Sequence, residues 1–526
     1  MTREVKPFET AAVVRREPKP LAFVDLRETK PESEALLLIP GDFAVRHQVL
    51  PLRVEPSGAL TAAVGDVGAL GAVDDLGVLV DRPVRAVLAD PTLIRLQIEE
   101  LFIERVLGGL PNEDADATEI DENAGVADLQ QMASETAVVQ MVNLIFSQAV
   151  RDGASDIHIE PYEREVRVRY RLDGILHVIA RPPKRMHAAL VSRLKILGEM
   201  NIAERRLPQD GRIKLQMAGR TIDVRVAIVP TMYGERAVMR ILDKTTSIVG
   251  LEAIGMAPDT IALFRRVFRQ PHGMVLVTGP TGSGKSTTLY GALTELASTT
   301  TNILTIEDPV EYQIFGIGQV QVRPNIGLTF ASGLRSFLRQ DPDVIMVGEI
   351  RDHETAEIAI HAALTGHVVF STLHTNDAPG AITRLLDMGV EPFLAASSIV
   401  AILGQRLLRR NCPNCTEPSV EPPSALEALR ITPADLEGRT LLRGRGCDLC
   451  AGTGFKGRTG IYELLVVDET IRGMTTDRAS ASVMKAYATE TQGMRTLIED
   501  GRRIVLDGLT TPEEVLRVCQ REDVGE

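Results

Sequence analysis

The sequence GPTGSGKS at residues 279–286 is the feature that most constrains how this chain folds. It fits the phosphate-binding loop pattern G-x-x-x-x-G-K-[ST] without a mismatch. Glycines can adopt positive φ angles and bring successive backbone N–H groups close to phosphate oxygens. The lysine and serine that end such a loop are suited to the β/γ-phosphates and to Mg²⁺, respectively. The residues predicted to bind nucleotide are Gly279, Pro280, Thr281, Gly282, Ser283, Gly284, Lys285, Ser286 and Thr287, and Ser286 is also the predicted magnesium ligand.

The loop lies between a predicted strand, 274–278, and a predicted helix, 286–296. A glycine-rich turn without a ligand is the alternative, and the flanking strand and helix argue against it. Further apolar strands, predicted at 302–306, 343–347 and 367–371, alternate with helical patterns between about residues 246 and 405. This alternation predicts an α/β fold, with a mostly parallel sheet, flanking helices, and a ligand at the carboxyl ends of the strands.

Acidic residues follow two of these strands. Glu307 and Asp308 follow the first, and Gly348-Glu349 follows the second. Carboxylates beside a phosphate loop can polarise a hydrolytic water and hold Mg²⁺. An ordinary Walker B strand ends in Asp, whereas Gly348 takes that position here and Glu349 supplies the acid. Either acid alone could instead lie near a helix N-terminus with a structural role.

Two histidines lie near the ends of the strand predicted at 367–371, His367 at its first position and His374 beyond its last. His374 follows it, where the side chain can sense a γ-phosphate or link the site to a neighbouring element. The alternative for His374 and His367 is a structural histidine with its ring hydrogen-bonded inside the fold.

Arginines alternate with apolar residues in the strands predicted before the phosphate loop. Residues 165–172 place Arg167, Arg169 and Arg171 on one strand face, and an Asp-Gly hairpin turn follows. Strands predicted at 221–229 and 236–242 carry Arg225 and Arg240. These arginines either line a solvated sheet face or approach a nucleotide, because guanidinium groups suit phosphate recognition.

Four of the five cysteines form two C-x-x-C pairs, Cys412/Cys415 and Cys447/Cys450. Four thiolates of this kind hold tetrahedral zinc in closed, non-catalytic sites. The pairs fit a metal site in a reducing compartment better than a disulfide framework, and unmetallated thiols are the alternative. Cys519 stands alone and is interpreted as a buried apolar residue.

The length of 526 residues predicts three or four domains. The predicted division is a flexible tail at 1–20, an α+β docking domain at 21–110, an acidic linker at 111–131, a second N-terminal domain at 132–245 that opens with a helix capped by Ser134, the nucleotide-binding core at 246–405, the tetracysteine region at 406–465 and a helical region at 466–526. The segment 111–128 contains seven acids and no Lys or Arg, which is typical of a solvated linker.

A formal net charge of −13 gives no support to duplex DNA as the main partner, and no nucleic acid is expected. The first 20 residues lack the apolar core of a signal peptide, and no run approaches 18 apolar residues. We therefore expect a cytoplasmic chain whose contact with the membrane is indirect.

Several motifs together resemble the type II secretion assembly ATPases, the general secretion pathway protein E family, and the related type IV pilus assembly ATPases. The matching segments are ASDIHIEP at 154–161, RLPQDGR at 206–212, the phosphate loop, TIEDPVE at 305–311, LRQDPD at 338–343 running into GEIRD at 348–352, and residues 365–376. The last three of these segments resemble, in order, the aspartate box, the atypical Walker B and the histidine box of that family, in which Gly-Glu replaces the Walker B aspartate.

The resemblance implies a RecA-like P-loop ATPase core that uses ATP and Mg²⁺ and works as a cytoplasmic homo-hexamer. The second N-terminal domain supplies arginines in this family, and the matching candidates are Arg212, Arg225 and Arg240. Catalytic roles are implied for Glu307, Glu349, Lys285 and His374, and zinc is implied for the four cysteines. The first domain is expected to dock on the cytoplasmic part of an inner-membrane platform protein, so that the chain is recruited peripherally to the inner membrane.

The leading hypothesis is an ATPase that powers pseudopilus assembly and protein export by type II secretion, and type IV pilus extension is the near alternative. A nucleotide-binding scaffold without turnover belongs to a different class, and the full set of Lys285, Ser286, Glu307 and Glu349 argues against it. A DNA-translocating motor is disfavoured by the acidic balance.

Overall fold

The computed structural model describes residues 21–26, 29, 31–39, 43–44, 47–91, 93–94, 97–98, 136–217, 220–243, 249–450 and 452–519. The predicted tail at 1–20, the acidic linker and the capping Ser134 lie outside these residues. The described strands form four sheets of three, six, seven and two strands. The sheets are taken here in chain order.

The N-terminal sheet contains three strands in the order β1-β2-β3. These are β1 (Leu50–Val54), β2 (Leu60–Val64) and β3 (Val84–Leu88), with helices α1 (Ser33–Leu38) and α2 (Leu70–Val80). Strand β2 is buried along its whole length and pairs antiparallel with β1 and parallel with β3. This part of the chain has the predicted α+β character.

The second sheet is antiparallel, with the strand order β6-β5-β4-β9-β8-β7. Its elements are α3 (Thr136–Asp152), β4 (Asp156–Pro161), β5 (Val166–Leu172), β6 (Ile175–Ala180), α4 (His187–Leu197), β7 (Gln209–Met217), β8 (Arg220–Thr231) and β9 (Gly234–Asp243). The apolar stripe of α3 packs on one face of the sheet. The predicted turn between β5 and β6 is confirmed, since Asp173 and Gly174 have φ angles of 45° and 88°.

The third sheet contains seven strands in the order β12-β11-β13-β14-β10-β15-β18, all parallel except the last. The strands are β10 (Gly273–Thr278), β11 (Ile303–Glu307), β12 (Gly318–Gln321), β13 (Val344–Val347), β14 (Val368–Leu373), β15 (Ile399–Asn411) and β18 (Phe455–Val466). The predicted α/β core with a mostly parallel sheet is therefore confirmed. The carboxyl ends of β10, β11, β13 and β14 meet at one edge, which carries the phosphate loop, Glu307, Glu349 and His374.

Helices cover both faces of the seven-stranded sheet. Helices α5 (Pro258–Phe268) and α6 (Lys285–Leu296) pack on one face. The other face is covered by α7 (Phe330–Phe337), α8 (His353–Leu364), α9 (Pro379–Asp387) and α10 (Pro392–Ser398). The central strands are therefore buried on both sides, which accounts for their continuous apolar sequences.

The predicted end of the core at residue 405 falls inside β15, because this strand continues to Asn411. Strand β18 returns antiparallel beside β15, so the seven-stranded sheet extends to Val466. The segment between them contains α11 (Pro423–Ala428) and a two-stranded sheet of β16 (Thr416–Pro418) and β17 (Leu442–Gly444). The C-terminal part is helical, as predicted, with α12 (Glu469–Thr476), α13 (Ala481–Glu490), α14 (Leu497–Leu506) and α15 (Pro512–Cys519).

Candidate active site

The phosphate loop connects β10 to α6 and depends on glycine at two positions. Gly279 and Gly284 have φ angles of 147° and 89°. A Cβ on Gly279 would lie 2.4 Å from the Gln405 carbonyl oxygen, and one on Gly284 would lie 2.8 Å from Gln405 Nε2. Strand β15 thus packs directly against the loop and excludes side chains there.

Lys285 is the first residue of α6 and is buried. Its Nζ donates hydrogen bonds to the carbonyl oxygens of Gly279 (2.7 Å) and Pro280 (3.0 Å), both in the loop. Burial lowers the pKa of Lys285 to about 8, and the Glu349 carboxylate opposes that shift. These carbonyl oxygens carry no formal charge, so the positive charge of the Lys285 ammonium is only weakly balanced until an anion approaches it.

Glu349 lies at the open edge of the sheet, with 14% of its side chain exposed. It follows β13 by two residues. Its Oε1 lies 2.5 Å from Arg351 Nη2, and its Oε2 lies 3.4 Å from His374 Nε2. The structure thus brings together three of the predicted catalytic residues, Lys285, Glu349 and His374, beside the phosphate loop.

Gly348 explains why the second acid comes one position later than in an ordinary Walker B strand. A Cβ at this position would lie 3.3 Å from both Glu307 Cα and the Ile306 carbonyl oxygen. A side chain at position 348 would therefore contact the neighbouring strand β11. The first acid that can face the phosphate loop is thus Glu349.

Glu307 has a different environment, although it ends the adjacent strand. Its Oε1 accepts hydrogen bonds from Thr305 Oγ1 (2.6 Å) and Gln319 Nε2 (3.2 Å), and its Oε2 accepts one from the hydroxyl of Tyr290. The residue is only 4% exposed. Both carboxylate oxygens are thus engaged by protein donors, and the partners Tyr290 and Gln319 were not identified from the sequence.

Tyr290 is buried against Glu307 in the first turns of α6. Burial raises its pKa, and the adjacent Glu307 charge adds to the shift. The hydroxyl therefore stays protonated and donates to the carboxylate, while it also accepts the Glu311 backbone N–H at 3.3 Å. This residue links the phosphate-loop helix to β11 and the segment after it. The sequence did not indicate this role, because Tyr290 lies among apolar residues of α6.

The two histidines lie at opposite ends of β14. His374, at the carboxyl end, is 48% exposed and faces Glu349. His367 precedes the strand, and its Nδ1 lies 2.8 Å from the Ala362 carbonyl oxygen. The structural alternative therefore fits His367, which is remote from the site edge.

The candidate arginines lie in one row across the six-stranded sheet. Arg212 on β7 is opposite Arg225 on β8, which is opposite Arg240 on β9. The row continues to Asp156 on β4 and Arg171 on β5. Directly opposed residues lie on the same face of an antiparallel sheet, so this face carries four arginines and one acid in a single row.

The three candidates have different partners. Arg212 pairs with Asp223, and Arg240 Nε lies 3.1 Å from Asp156 Oδ1, so both contact their own sheet. Arg225 Nη2 lies 3.5 Å from Glu311 Oε2, in the segment that follows β11. Arg225 thus joins the arginine row to the seven-stranded sheet at the side where Glu307 lies.

A cavity of ≈ 380 Å³ adjoins the phosphate loop. Its lining includes Gly284 and Thr287 of the loop and helix, Tyr312, and Arg458 of β18. Asp173 closes one side, where its Oδ2 accepts the Gly457 backbone N–H at 2.8 Å. Residues 457–460 had no predicted role, because they follow the cysteines by sequence and reach the loop only through the pairing of β18 with β15.

The four predicted zinc ligands converge, with all their Sγ atoms within 4.8 Å of one another. The Sγ separations are 3.8 Å for Cys412 and Cys447, 3.8 Å for Cys415 and Cys450, and 3.7 Å for Cys447 and Cys450. A tetrahedral site with Zn–S bonds of about 2.3 Å has edges of about 3.8 Å. The geometry and the thiol donor set therefore fit Zn²⁺, which would brace the turns between β15 and β18.

Among the helices in the described ranges, none is both long enough and apolar enough to cross a membrane.

Comparison with known proteins gives matches over most of the chain. Residues 131–517 match the family described as Type II/IV secretion system protein, and residues 20–106 match the MshEN domain. The Type IV pilus assembly ATPase PilB of Myxococcus xanthus is 44% identical over 94% of this chain and 88% of its own length. The Type II secretion system protein HxcR of Pseudomonas aeruginosa is 53% identical over 76% of this chain and 81% of its own length. The Type II secretion system ATPase E of Vibrio cholerae is 48% identical over 75% of this chain and 77% of its own length.

The fold also matches solved structures. The ATPase DotB of Legionella pneumophila superposes with a TM-score of 0.53 at 22% identity, covering 72% of this chain and 94% of that one. DotB of Yersinia pseudotuberculosis gives a TM-score of 0.54 at 20% identity, with 73% and 93% covered. This likeness agrees with the RecA-like fold predicted from the sequence.

Proposed function

We propose that this chain, which belongs to the Type II/IV secretion system protein family, is an ATPase whose turnover powers protein export or pilus assembly. One observation carries the proposal: the phosphate loop, Lys285, Glu349 and His374 meet at one edge of a RecA-like sheet. A scaffold that only binds nucleotide has no need of an acid and a histidine beside the loop. Relatives named as ATPases of type II secretion and of type IV pilus assembly support the same reaction.

In the proposed reaction, backbone N–H groups of residues 281–286 bind the phosphates of ATP, and the Lys285 ammonium turns from its loop carbonyls to the β/γ-phosphates. The Ser286 hydroxyl is the protein ligand of Mg²⁺, which supplies charge neutralisation on the transferred phosphate. Glu349 polarises the attacking water, and His374 orients Glu349 through their 3.4 Å contact. The step is a phosphoryl transfer to water.

Glu307 has a proposed role different from that of Glu349. Because both its oxygens accept protein hydrogen bonds, it orients Tyr290 and Gln319 rather than polarising water. Glu349 is therefore the preferred candidate for the acid that acts on the nucleophile.

The arginine row suits a second contribution to the site. Arg212 and Arg240 have exposed guanidinium groups, and Arg225 already reaches the segment after β11. We propose that the domain at 132–245 carries this row to the phosphates of a nucleotide at a subunit interface of a homo-hexamer, where positive charge stabilises the transition state. The isolated monomer then hydrolyses ATP slowly.

The remaining parts of the chain have proposed supporting roles. Zn²⁺ bound by the four cysteines is structural, because all four ligands are protein thiolates. The domain at 21–110 docks on the cytoplasmic part of an inner-membrane platform protein. This arrangement places the ring in the cytoplasm and recruits it peripherally to the inner membrane.

Two biological systems share this chemistry. Type II secretion is supported by the 53% identity to HxcR. Type IV pilus extension is supported by the length of the match to PilB, which spans 503 residues and so includes the N-terminal part. The experiment that separates them introduces Lys285→Ala in the native host and scores secreted enzymes and surface pili side by side. Loss of secretion with normal pili selects type II secretion, the converse selects pilus extension, and the loss of neither refutes the proposal.

A further inference from the structure

We propose that Glu463 and Lys485 are positioning residues for ATP hydrolysis, because they fix the far end of the loop that holds His374 beside Glu349. Glu463 lies on β18 of the seven-stranded sheet, and Lys485 lies on α13 of the helical C-terminal part; neither residue had an assigned role. The inference rests on the proposed function, since it assigns a task within the same reaction. It concerns the five residues between β14 and α9, residues 374–378, here called the histidine loop.

The near end of the histidine loop is tied to the phosphate-loop strand. Strands β10 and β14 are paired up to Thr278 and Leu373. The backbone N–H of Thr375 donates to Thr278 Oγ1 at 3.0 Å. The near end of the histidine loop is thus fixed to Thr278, the last residue before the phosphate loop.

The far end is tied to the C-terminal part of the chain. The backbone N–H of Ala378 donates to Glu463 Oε1 at 3.0 Å. Lys485 Nζ lies 3.2 Å from Asp377 Oδ2 and 3.5 Å from Glu463 Oε2. Asp377 Oδ1 also accepts the backbone N–H of Gly380, in the first turn of α9, at 3.0 Å. One acid and one lysine thus hold two successive residues of the loop.

Because Glu463 is buried, its carboxylate depends on the Lys485 ammonium for charge compensation. The Glu463 side chain is 0% exposed, whereas 35% of Lys485 is exposed. Burial raises the pKa of Glu463, and the Lys485 ammonium opposes that shift. A buried carboxylate without its cation is costly, so loss of Lys485 favours a neutral or displaced Glu463. Either outcome weakens the acceptor of the Ala378 N–H, four residues after His374.

A buried ion pair can also serve stability alone. The same chain contains a second buried carboxylate for comparison. Glu514 is 0% exposed, its Oε1 accepts the Arg409 backbone N–H at 3.1 Å, and its Oε2 lies 2.7 Å from Arg409 Nη2. Arg517, on the same helix as Glu514, also donates to both carboxylate oxygens. These contacts join α15 to β15 and do not involve the histidine loop. Glu514→Gln therefore removes a buried carboxylate from its cations at a place away from that loop.

The test measures phosphate release, nucleotide affinity and Tm for the full chain with Glu463→Gln, Lys485→Met, Lys485→Arg and Glu514→Gln. We expect Glu463→Gln and Lys485→Met to lower kcat by about tenfold to a hundredfold, the range for a misplaced catalytic group, with nucleotide Kd unchanged. Lys485→Arg keeps the charge and recovers part of kcat. Glu514→Gln lowers Tm without changing kcat.

Lys485→Met and Lys485→Arg carry the test if Glu463→Gln does not fold, because Lys485 is partly exposed. Wild-type rates in both Lys485→Met and any folded Glu463→Gln, or an equal loss of kcat in Glu514→Gln, overturn the inference. Absence of phosphate release from the wild-type protein instead refutes the proposed function, so the two failures are distinguishable.

Discussion

Lys285 is expected to take up a proton when ATP binds above neutral pH. Burial lowers its pKa to about 8, and its Nζ contacts only neutral carbonyl oxygens in the loop, those of Gly279 and Pro280. Phosphate oxygens that replace these carbonyls carry negative charge and raise the pKa toward its ordinary value. Binding therefore favours the protonated lysine, and any unprotonated fraction must gain a proton.

The size of the effect follows from the pKa of about 8. The unprotonated fraction of the free enzyme is about one tenth at pH 7, about one half at pH 8 and about nine tenths at pH 9. ATP binding at pH 8 should thus take up about half a proton per site. Because the unprotonated lysine binds phosphate poorly, the affinity should fall by nearly tenfold per pH unit well above pH 8.

Calorimetric titration with a non-hydrolysable ATP analogue and Mg²⁺ measures this uptake. The apparent binding enthalpy at pH 8, compared in buffers of different ionisation enthalpy, gives the number of protons. Lys285→Arg is the matched control, because arginine keeps its charge at these pH values. Binding without proton uptake in the wild type, or equal uptake in the arginine variant, would refute the reasoning.

Three further perturbations test other parts of the structure. Protein purified without added metal should contain about one zinc per chain by elemental analysis, and Cys415→Ser should lose the metal and lower Tm; well-folded wild-type protein without zinc contradicts this. Tyr290→Phe leaves Glu307 with one donor fewer and should lower the free energy of unfolding, measured by urea titration, by about 1–3 kcal/mol. An unchanged free energy of unfolding would show that the Tyr290–Glu307 hydrogen bond does not stabilise the fold. Arg225→Ala should reduce phosphate release by the assembled ring more than by the monomer, and an equal reduction in both argues against a role at the subunit interface.

Much of the core was predictable because its signals are local. The glycine pattern at 279–286 and the apolar strands on either side of it specify a strand, loop and helix without knowledge of the rest of the fold. The structure has these elements at Gly273–Thr278 and Lys285–Leu296. The cysteine pairs are equally local, and their convergence within 4.8 Å agrees with the predicted metal site.

The remainder depends on contacts between distant segments. The sequence around residue 405 does not indicate that β15 continues to Asn411, or that β18, some fifty residues later, pairs with it in the same sheet. The sequence alone gives Glu307 and Glu349 the same predicted role, because each follows a predicted strand. Their difference comes from Tyr290 and Gln319, which reach Glu307 from other elements. Pairings of this kind have no sequence signature.

The arginine candidates illustrate the same limit. Alternation in each strand predicted a charged face, but only the antiparallel register places Arg212, Arg225 and Arg240 opposite one another. Which of them meets the seven-stranded sheet depends on how the two sheets face each other, and the 3.5 Å contact of Arg225 with Glu311 provides that information.

This chain is expected to hydrolyse ATP with Lys285 and Glu349 in essential roles. Steady-state phosphate release with Mg²⁺ tests it most directly, for the wild-type protein, Lys285→Ala and Glu349→Gln at equal concentrations. The expected result is turnover by the wild type and its loss in both variants. Equal phosphate release by all three proteins would contradict the account.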